Sequence, residues 1–395
     1  MTLRFLLVSV EAPPSNNAEA LQVGKILQAL RSHPDLAIDV ATAKPLDAAT
    51  ADLATWLPAS ATASHPSQVV QVSCRLRRWQ RIVLRLLAPW LSNRPDWSFL
   101  FTWRWQQLTA QLRQPPQLIY SRSFPPSSTL VAYRLARYYK VPWFLHLSDP
   151  WCESSLERHW NHSRWHQHQE SKCLHAAQRI SFTSPLTLQR YQQRYPTIAG
   201  RMVLDPNVYA DASVQNTPWQ PCERFRVVHT GSFTAERPVD PLLRALASIP
   251  SQHPLFSDLE LIQAGHSTPH SRRQIRQAGP WLRDFGLVNE DQALQLQCQA
   301  DLLLAVDWRF EASSDAQYLL SKLTDYLALR RPVLLIAHPR GASARFLMEQ
   351  QLGLSFSHDD PRGIAAALLS YWQAWKARDR RRFELPKPDP AYSAT

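Results

Sequence analysis

Short apolar runs, each about one strand long, alternate along this chain with longer amphipathic stretches, and the alternation is played out twice. Continuous apolar runs of this kind belong to parallel sheets, whose strands are covered by helices on both faces. In the first half, Leu3–Val10, Ala37–Ala43, Gln117–Ser121, Trp143–Leu147, Arg179–Phe182 and Arg201–Leu204 are predicted strands. Asn17–Ser32 is a predicted helix with Leu21, Ile26, Leu27 and Leu30 facing inward. Residues 45–66, rich in Ala, Thr, Ser and Pro, read as a connection. Near residue 209 the texture changes to the polar, aperiodic YADASVQNTPWQPCE, a predicted linker. The alternation then restarts with Phe225–His229, Leu259–Gln263, Leu302–Val306, Val333–Ile336 and Leu354–Phe356. A last helix, from about Arg362 to Arg380, carries Trp372 and Trp375. The pattern predicts an α/β chain with two doubly wound, Rossmann-like domains, residues 1–209 and 210–395, facing across a cleft. Ligands of such sheets bind at the carboxyl ends of the strands.

With 395 residues, 45 % hydrophobic and 19 % charged, the chain can fill two cores. No apolar run is long enough to span a membrane. The opening MTLRFLLVSVEAPPS reads as a first buried strand rather than a cleaved leader, so a cytoplasmic location is expected. Cys74, Cys152, Cys173, Cys222 and Cys298 are scattered and odd in number, which fits buried thiols better than a disulfide framework or a zinc site. A net charge of +12 points to an anionic partner, whether substrate, membrane surface or nucleic acid. No nucleic-acid recognition motif accompanies that charge, and nucleic acid is not expected as a partner. Glycine is scarce: only Gly24 falls within the first 199 residues, which excludes a Gly-rich phosphate loop there.

Two segments of the second half carry candidate chemistry. In HTGSFTAERPVDPLLRAL, residues 229–246, a strand ends at His229, Gly231 and Ser232 make a tight turn, and a helix is predicted from near Pro238. Such a turn aims backbone N–H groups and a helix N-terminus at a bound diphosphate, and Arg237 adds a bidentate donor. In SKLTDYLALRRPVLLI, residues 321–336, Lys322 and Asp325 share one helix face. They suit a diphosphate and the ribose hydroxyls respectively, or form an ordinary surface pair.

These residues resemble a known family. HTGSF, the ADLLLAV strand and SKLTDYLALRRPVLL are similar to the donor half of the family 4 glycosyltransferases. LIYSRSFPPSSTLVAYRLARYYKVPWFLHLSDPW, residues 118–151, is similar to their acceptor half. The resemblance runs from about residue 3 to residue 370. It implies a GT-B fold and a retaining, metal-independent glycosyltransferase with no cofactor, which uses a nucleotide-sugar donor and a glycan, lipid-linked or small-molecule acceptor, as in polysaccharide biosynthesis. It also implies that His146, in HLSDPW, touches the transferred sugar. Both His146 and Asp149 end a predicted strand, and their other readings are a hydrogen-bonded core histidine and a helix cap. Arg122 and Ser123 end another strand, where an acceptor or phosphate, or a plain capping turn, fits equally. The chain departs from the family where a Glu pair is common: Gln317 and Asp325 stand there instead. Asn16 and Asn17 stand where a Gly pair often meets the donor phosphate, and Asn tolerates the same left-handed backbone. The loss of charge at Gln317 supports a second reading, a catalytically silent nucleotide-sugar-binding protein. A sugar-nucleotide epimerase on the same fold is a further option. In GT-B enzymes the last helix often braces the first domain.

Between residue 53 and residue 95 there is no Asp or Glu. Within SCRLRRWQRIVLRLLAPWLSNR, residues 73–94, apolar residues recur at helical spacing and Arg77, Arg78, Arg81 and Arg85 interleave with them; Trp79 and Trp90 add interfacial aromatics. This predicts a basic amphipathic helix that either lies peripherally on an anionic membrane surface, at its inner face, or packs on the core with its arginines solvated. In ERHWNHSRWHQHQESKCLH, residues 157–175, the histidines are spread around a helix and no metal is expected.

Overall fold

The computed structural model describes residues 2–44 except 16, 31, 32 and 34, residues 67–87 except 75 and 77, and residues 94–152, 163–210, 214 and 218–394. The chain divides into two compact units, Met1–Asn207 with Ala394–Thr395, and Val208–Ser393.

The first unit is built on a seven-stranded sheet of β1 (Leu3–Val8), β2 (Leu36–Ala43), β3 (Val69–Val72), β4 (Leu118–Ser123), β5 (Trp143–Leu147), β6 (Arg179–Phe182) and β7 (Met202–Leu204). Its spatial order is β3-β2-β1-β4-β5-β6-β7, and every pairing is parallel. Successive side chains of β1 serve opposite faces, as the pleat requires. Leu6 and Val8 join Ile119, Leu145, Ile180, Leu130 and Leu174 in one core. Leu7 joins Ile38, Val40, Val23 and Leu27 in the other. The first helix, Ala18–Leu30, supplies Val23 and Leu27 at i, i+4 spacing.

The second unit repeats the plan with six strands: β8 (Phe225–Thr230), β9 (Leu259–Ala264), β10 (Leu282–Asp284), β11 (Leu302–Val306), β12 (Val333–Ile336) and β13 (Gly353–Phe356). Their order is β10-β9-β8-β11-β12-β13, again parallel throughout. Leu302, Leu304 and Val306 of β11 pack on one face with Leu242, Ala245, Ile364 and Leu368. Leu303 and Ala305 pack on the other with Leu323, Tyr326 and Leu327. The helix Pro361–Lys376 lies within this second unit, seated through Ile364, Leu368 and Tyr371.

In both units the strand order reverses beside the first strand: between β1 and β4, and between β8 and β11. The carboxyl ends of those strands are where an open parallel sheet leaves room for a ligand.

Candidate functional site

At the switch point of the second unit, β8 ends in His229 and Thr230 and the chain turns at Gly231. Lys322, the first residue of the helix Lys322–Leu329, sends its ammonium back to the Thr230 carbonyl, 2.8 Å away. A Cβ placed on residue 231 would collide with that ammonium, so glycine here makes the seat of the lysine. Burial, and after it the neighbouring Arg237 charge, lowers the Lys322 pKa to about 7, and the carboxylates of Asp307 and Asp325 only partly oppose this. Lys322 forms no ion pair among the described residues. It is therefore a half-buried cation without a carboxylate in ion-pair contact, an arrangement that favours a bound anion.

The surrounding side chains are fixed. Tyr326, on the same helix, bonds the Thr230 hydroxyl at 3.2 Å and the Leu304 carbonyl at 3.4 Å. Gln297 donates to that same threonine hydroxyl at 2.6 Å. His229 is fully buried and stacked on Phe233, with 4.4 Å between ring centroids. Its Nδ1 lies 2.9 Å from the Leu304 carbonyl, which can only accept, so the proton sits on Nδ1 and Nε2 carries a lone pair. That Nε2 is buried without a hydrogen-bond partner. Burial first and the Lys322 charge second hold His229 well below the usual imidazole range, so it is neutral. Gln263, also fully buried, donates to the Gly231 carbonyl at 2.8 Å. Gly265, at φ +143°, packs directly on the Gly231 backbone.

Two expectations about this turn are corrected. The Gly231 N–H donates to the Ala264 carbonyl at 2.8 Å and the Phe233 N–H to the His266 carbonyl at 3.0 Å, so the turn continues the ladder toward β9 and Gly231 offers no free N–H to a phosphate. The helix begins at Asp240 with Pro241 in its first turn, not near Pro238, which leaves Arg237 on the loop. The Arg237 guanidinium lies over the Trp308 ring at 5.4 Å. Ser232 is half-buried beside Gly231. Asp325 is half-buried one turn after Lys322. Gln317 is buried, next to Ala316, whose carbonyl accepts from Ala342 at 2.8 Å. Asp307, at the end of β11, is buried, and desolvation raises its carboxyl although Ser343, Arg237 and Trp308 work against that.

In the first unit the structure uses most of the sequence-predicted residues internally. His146 has no exposed surface. Its Nδ1 meets Ser181 Oγ at 2.9 Å and Asp205 Oδ2 at 3.3 Å, and its Nε2 meets Thr183 Oγ1 at 3.3 Å. Burial, reinforced by the Arg122 charge, lowers its pKa. This is the geometry of a hydrogen-bonded core histidine. Arg122 is likewise buried: Nε pairs with Glu19 at 2.8 Å, and the guanidinium reaches Tyr120, Ser148 and Asn207 at 3.5, 3.3 and 3.4 Å. Burial opposes its charge, but Glu19, Tyr120 and Asp205 together outweigh it and the pKa rises. Arg122 is thus committed to the fold rather than offered to an anion, and Ser123 beside it is buried too. Asp149 is half-buried after the end of β5. Asn17 caps the first helix, accepting from the Ala20 N–H at 2.9 Å and donating to Glu11 at 2.7 Å, which leaves its side chain occupied; Asn16 lies outside the described residues.

In the histidine-rich helix, His159 and His162 also lie outside the described residues. His166 accepts from Trp151 Nε1 at 3.0 Å, and Glu170 is buried under Tyr191 and Tyr195. Among the described residues no group of three or more His, Cys, Asp or Glu is placed to hold a metal ion.

No protein-family model and no curated protein sequence matches the chain. Solved structures do. HepE of Anabaena, in complex with UDP and glucose, superposes with a TM-score of 0.61 at 15 % identity, covering 97 % of this chain and 96 % of that one. Sucrose-phosphate synthase from Thermosynechococcus elongatus gives 0.64 at 16 % identity, with 96 % and 94 % covered. A glycosyltransferase from Rickettsia africae gives 0.63 at 9 % identity, with 96 % and 90 % covered. The chain has the GT-B fold.

Within the GT-B frame, the second unit gathers Gly231, Arg237, Lys322 and Asp325 around the end of β8, and adds residues the sequence did not single out. His229 sat inside the quoted HTGSF motif; its orientation is fixed only when the Leu304 carbonyl of β11 accepts from its Nδ1–H. Gln263, Gly265 and Asp307 arrive from the ends of β9 and β11, and no local pattern marks them.

Proposed function

We propose that this GT-B chain is a glycosyltransferase that moves a sugar from a nucleoside diphosphate-sugar to a glycan, lipid-linked or small-molecule acceptor, with retention and without a metal. What supports the reading is the Lys322 ammonium, seated on Gly231, half-buried and with no carboxylate in ion-pair contact among the described residues. Transfer leaves negative charge on the departing diphosphate. Preorganised cations at that point stabilise the transition state more than the ground state. Lys322 and Arg237 take that role, and Asp325 accepts from the ribose hydroxyls. The neutral Nε2 of His229 accepts a hydrogen bond beside the lysine.

The test is calorimetric titration with a panel of nucleoside diphosphates and their sugars in EDTA, alongside Lys322→Ala. Binding of one nucleotide class, weakened about a hundredfold in the variant, supports the donor site. Binding that ignores the substitution removes it, and no binding across the panel favours a degenerate protein of the same fold that has lost the donor site. Product analysis with the bound donor then separates sugar transfer from epimerisation.

A further inference from the structure

The helix Arg78–Leu87 of the first unit turns an apolar stripe to solvent. Trp79 and Ile82 are each 58 % exposed, Val83 43 %, Leu86 76 % and Leu87 78 %. These positions follow i, i+3, i+4, i+7, i+8 spacing, so they form one continuous face rather than scattered exposure. Five large apolar residues on a ten-residue helix are far more than solitary surface hydrophobics, and such a face calls for an occupant. Gln80 and Leu84, just past the Leu87 edge of the stripe, are half-buried and turn toward the protein. Of the Arg positions, 78 and 85 border the Ile82 edge of the apolar stripe, and 81 lies across the helix from its centre.

We propose that this face docks on the surface of an anionic lipid bilayer, independently of the reaction the chain performs. Charge complementarity selects that occupant. Arg75, Arg77, Arg78, Arg81 and Arg85 crowd the segment, and no Asp or Glu occurs in the sequence from residue 53 to residue 95. Apolar side chains beside a basic flank match a bilayer's boundary between acyl chains and acidic headgroups, where each Arg near the surface adds to binding. A second copy of the chain fits worse. A twofold pairing through this helix would bring two arginine rows together with no local carboxylate between them. No described helix is long and apolar enough to cross a membrane, so the association is interfacial.

The experiment is co-sedimentation of the full chain with vesicles of phosphatidylcholine alone and of phosphatidylcholine containing about one-third phosphatidylglycerol. Two variants are run beside it: Leu86→Gln/Leu87→Gln and Arg78→Gln/Arg81→Gln/Arg85→Gln. The wild-type chain is expected to pellet with anionic vesicles only, and raising salt from about 0.1 M to about 0.5 M should release it. Each variant should lower the partition coefficient about tenfold or more. Leu86 and Leu87 are exposed, so thermal melting of that variant should match the wild type. The proposal is overturned if wild-type chain stays in the supernatant with anionic vesicles, or if the leucine variant pellets as well as wild type. Self-association in sedimentation velocity that the leucine variant abolishes, without vesicle binding, assigns the face to a second copy instead.

Discussion

The ammonium of Lys322 occupies the space that a side chain on residue 231 would need, and the Thr230 carbonyl holds it there at 2.8 Å. Gly265 presses on the same turn from the other side, against the Gly231 backbone. The two glycines therefore answer to different neighbours, and their substitution should separate binding from folding.

Gly231→Ala displaces the tip of a flexible side chain. It should leave the melting temperature close to wild type and weaken nucleoside diphosphate binding about tenfold to a hundredfold. Gly265→Ala forces a methyl against backbone atoms at a φ of +143°, and should cost about 2 kcal/mol or more of stability. Calorimetric titration and urea unfolding of the two variants check both outcomes. Equal stability losses would mean that the lysine cannot give way.

Binding should take up a proton above neutral pH. The Lys322 pKa is lowered from 10.5 to about 7, so the lysine of the unliganded site is largely uncharged in mildly alkaline buffer. A bound diphosphate restores the charge and lifts the pKa back. Affinity should accordingly fall with rising pH above about 7, by up to about tenfold per pH unit. For the unliganded chain the sign is opposite: between about 7 and 10.5 the unfolded state holds the extra proton, so this group makes the fold more stable as pH rises. Titrations at pH about 8 in buffers of different ionisation heat should show close to one proton taken up, and none in Lys322→Ala.

Arg122→Ala should destabilise the first unit by about 3–5 kcal/mol, because it strands the Glu19 carboxylate and removes the donors to Ser148 and Asn207. Nucleotide affinity should not change. A large loss of affinity with an unchanged unfolding midpoint would return Arg122 to ligand binding.

His146→Ala should act as a core lesion, lowering stability by about 2–4 kcal/mol through the cavity and the lost bonds to Ser181 and Thr183. Because burial depresses its pKa, the unfolded chain binds the extra proton below about 6.5, and this histidine's contribution to stability is lost as pH falls through that value. The variant should therefore show a weaker fall in stability between neutral and mildly acid pH than the wild type, read from urea midpoints.

The fold was largely legible because buried parallel strands announce themselves as apolar runs. Trp143–Leu147, Arg179–Phe182, Leu302–Val306 and Val333–Ile336 have the predicted bounds. The strands that were missed lack that cue: Leu282–Asp284 is an edge strand with two exposed charged residues, and Val69–Val72 is four residues at the other sheet's edge. The turn at Gly231 was legible as a motif, but not its hydrogen bonding, because Ala264 and His266, whose carbonyls accept from its N–H groups, come from the next strand's end. Arg122 illustrates the general difficulty. Its partner Glu19 lies 103 residues earlier, and nothing near either residue in the chain distinguishes a buried ion pair from an anion site.

The seat of Lys322 also couples two distant letters of the sequence. Any residue larger than glycine at 231 competes for volume with the long side chain at 322, so the two positions cannot vary independently while nucleotide binding is retained. Randomising both under selection for binding should return them as a correlated pair, with bulk at 231 appearing only alongside a shortened or relocated cation.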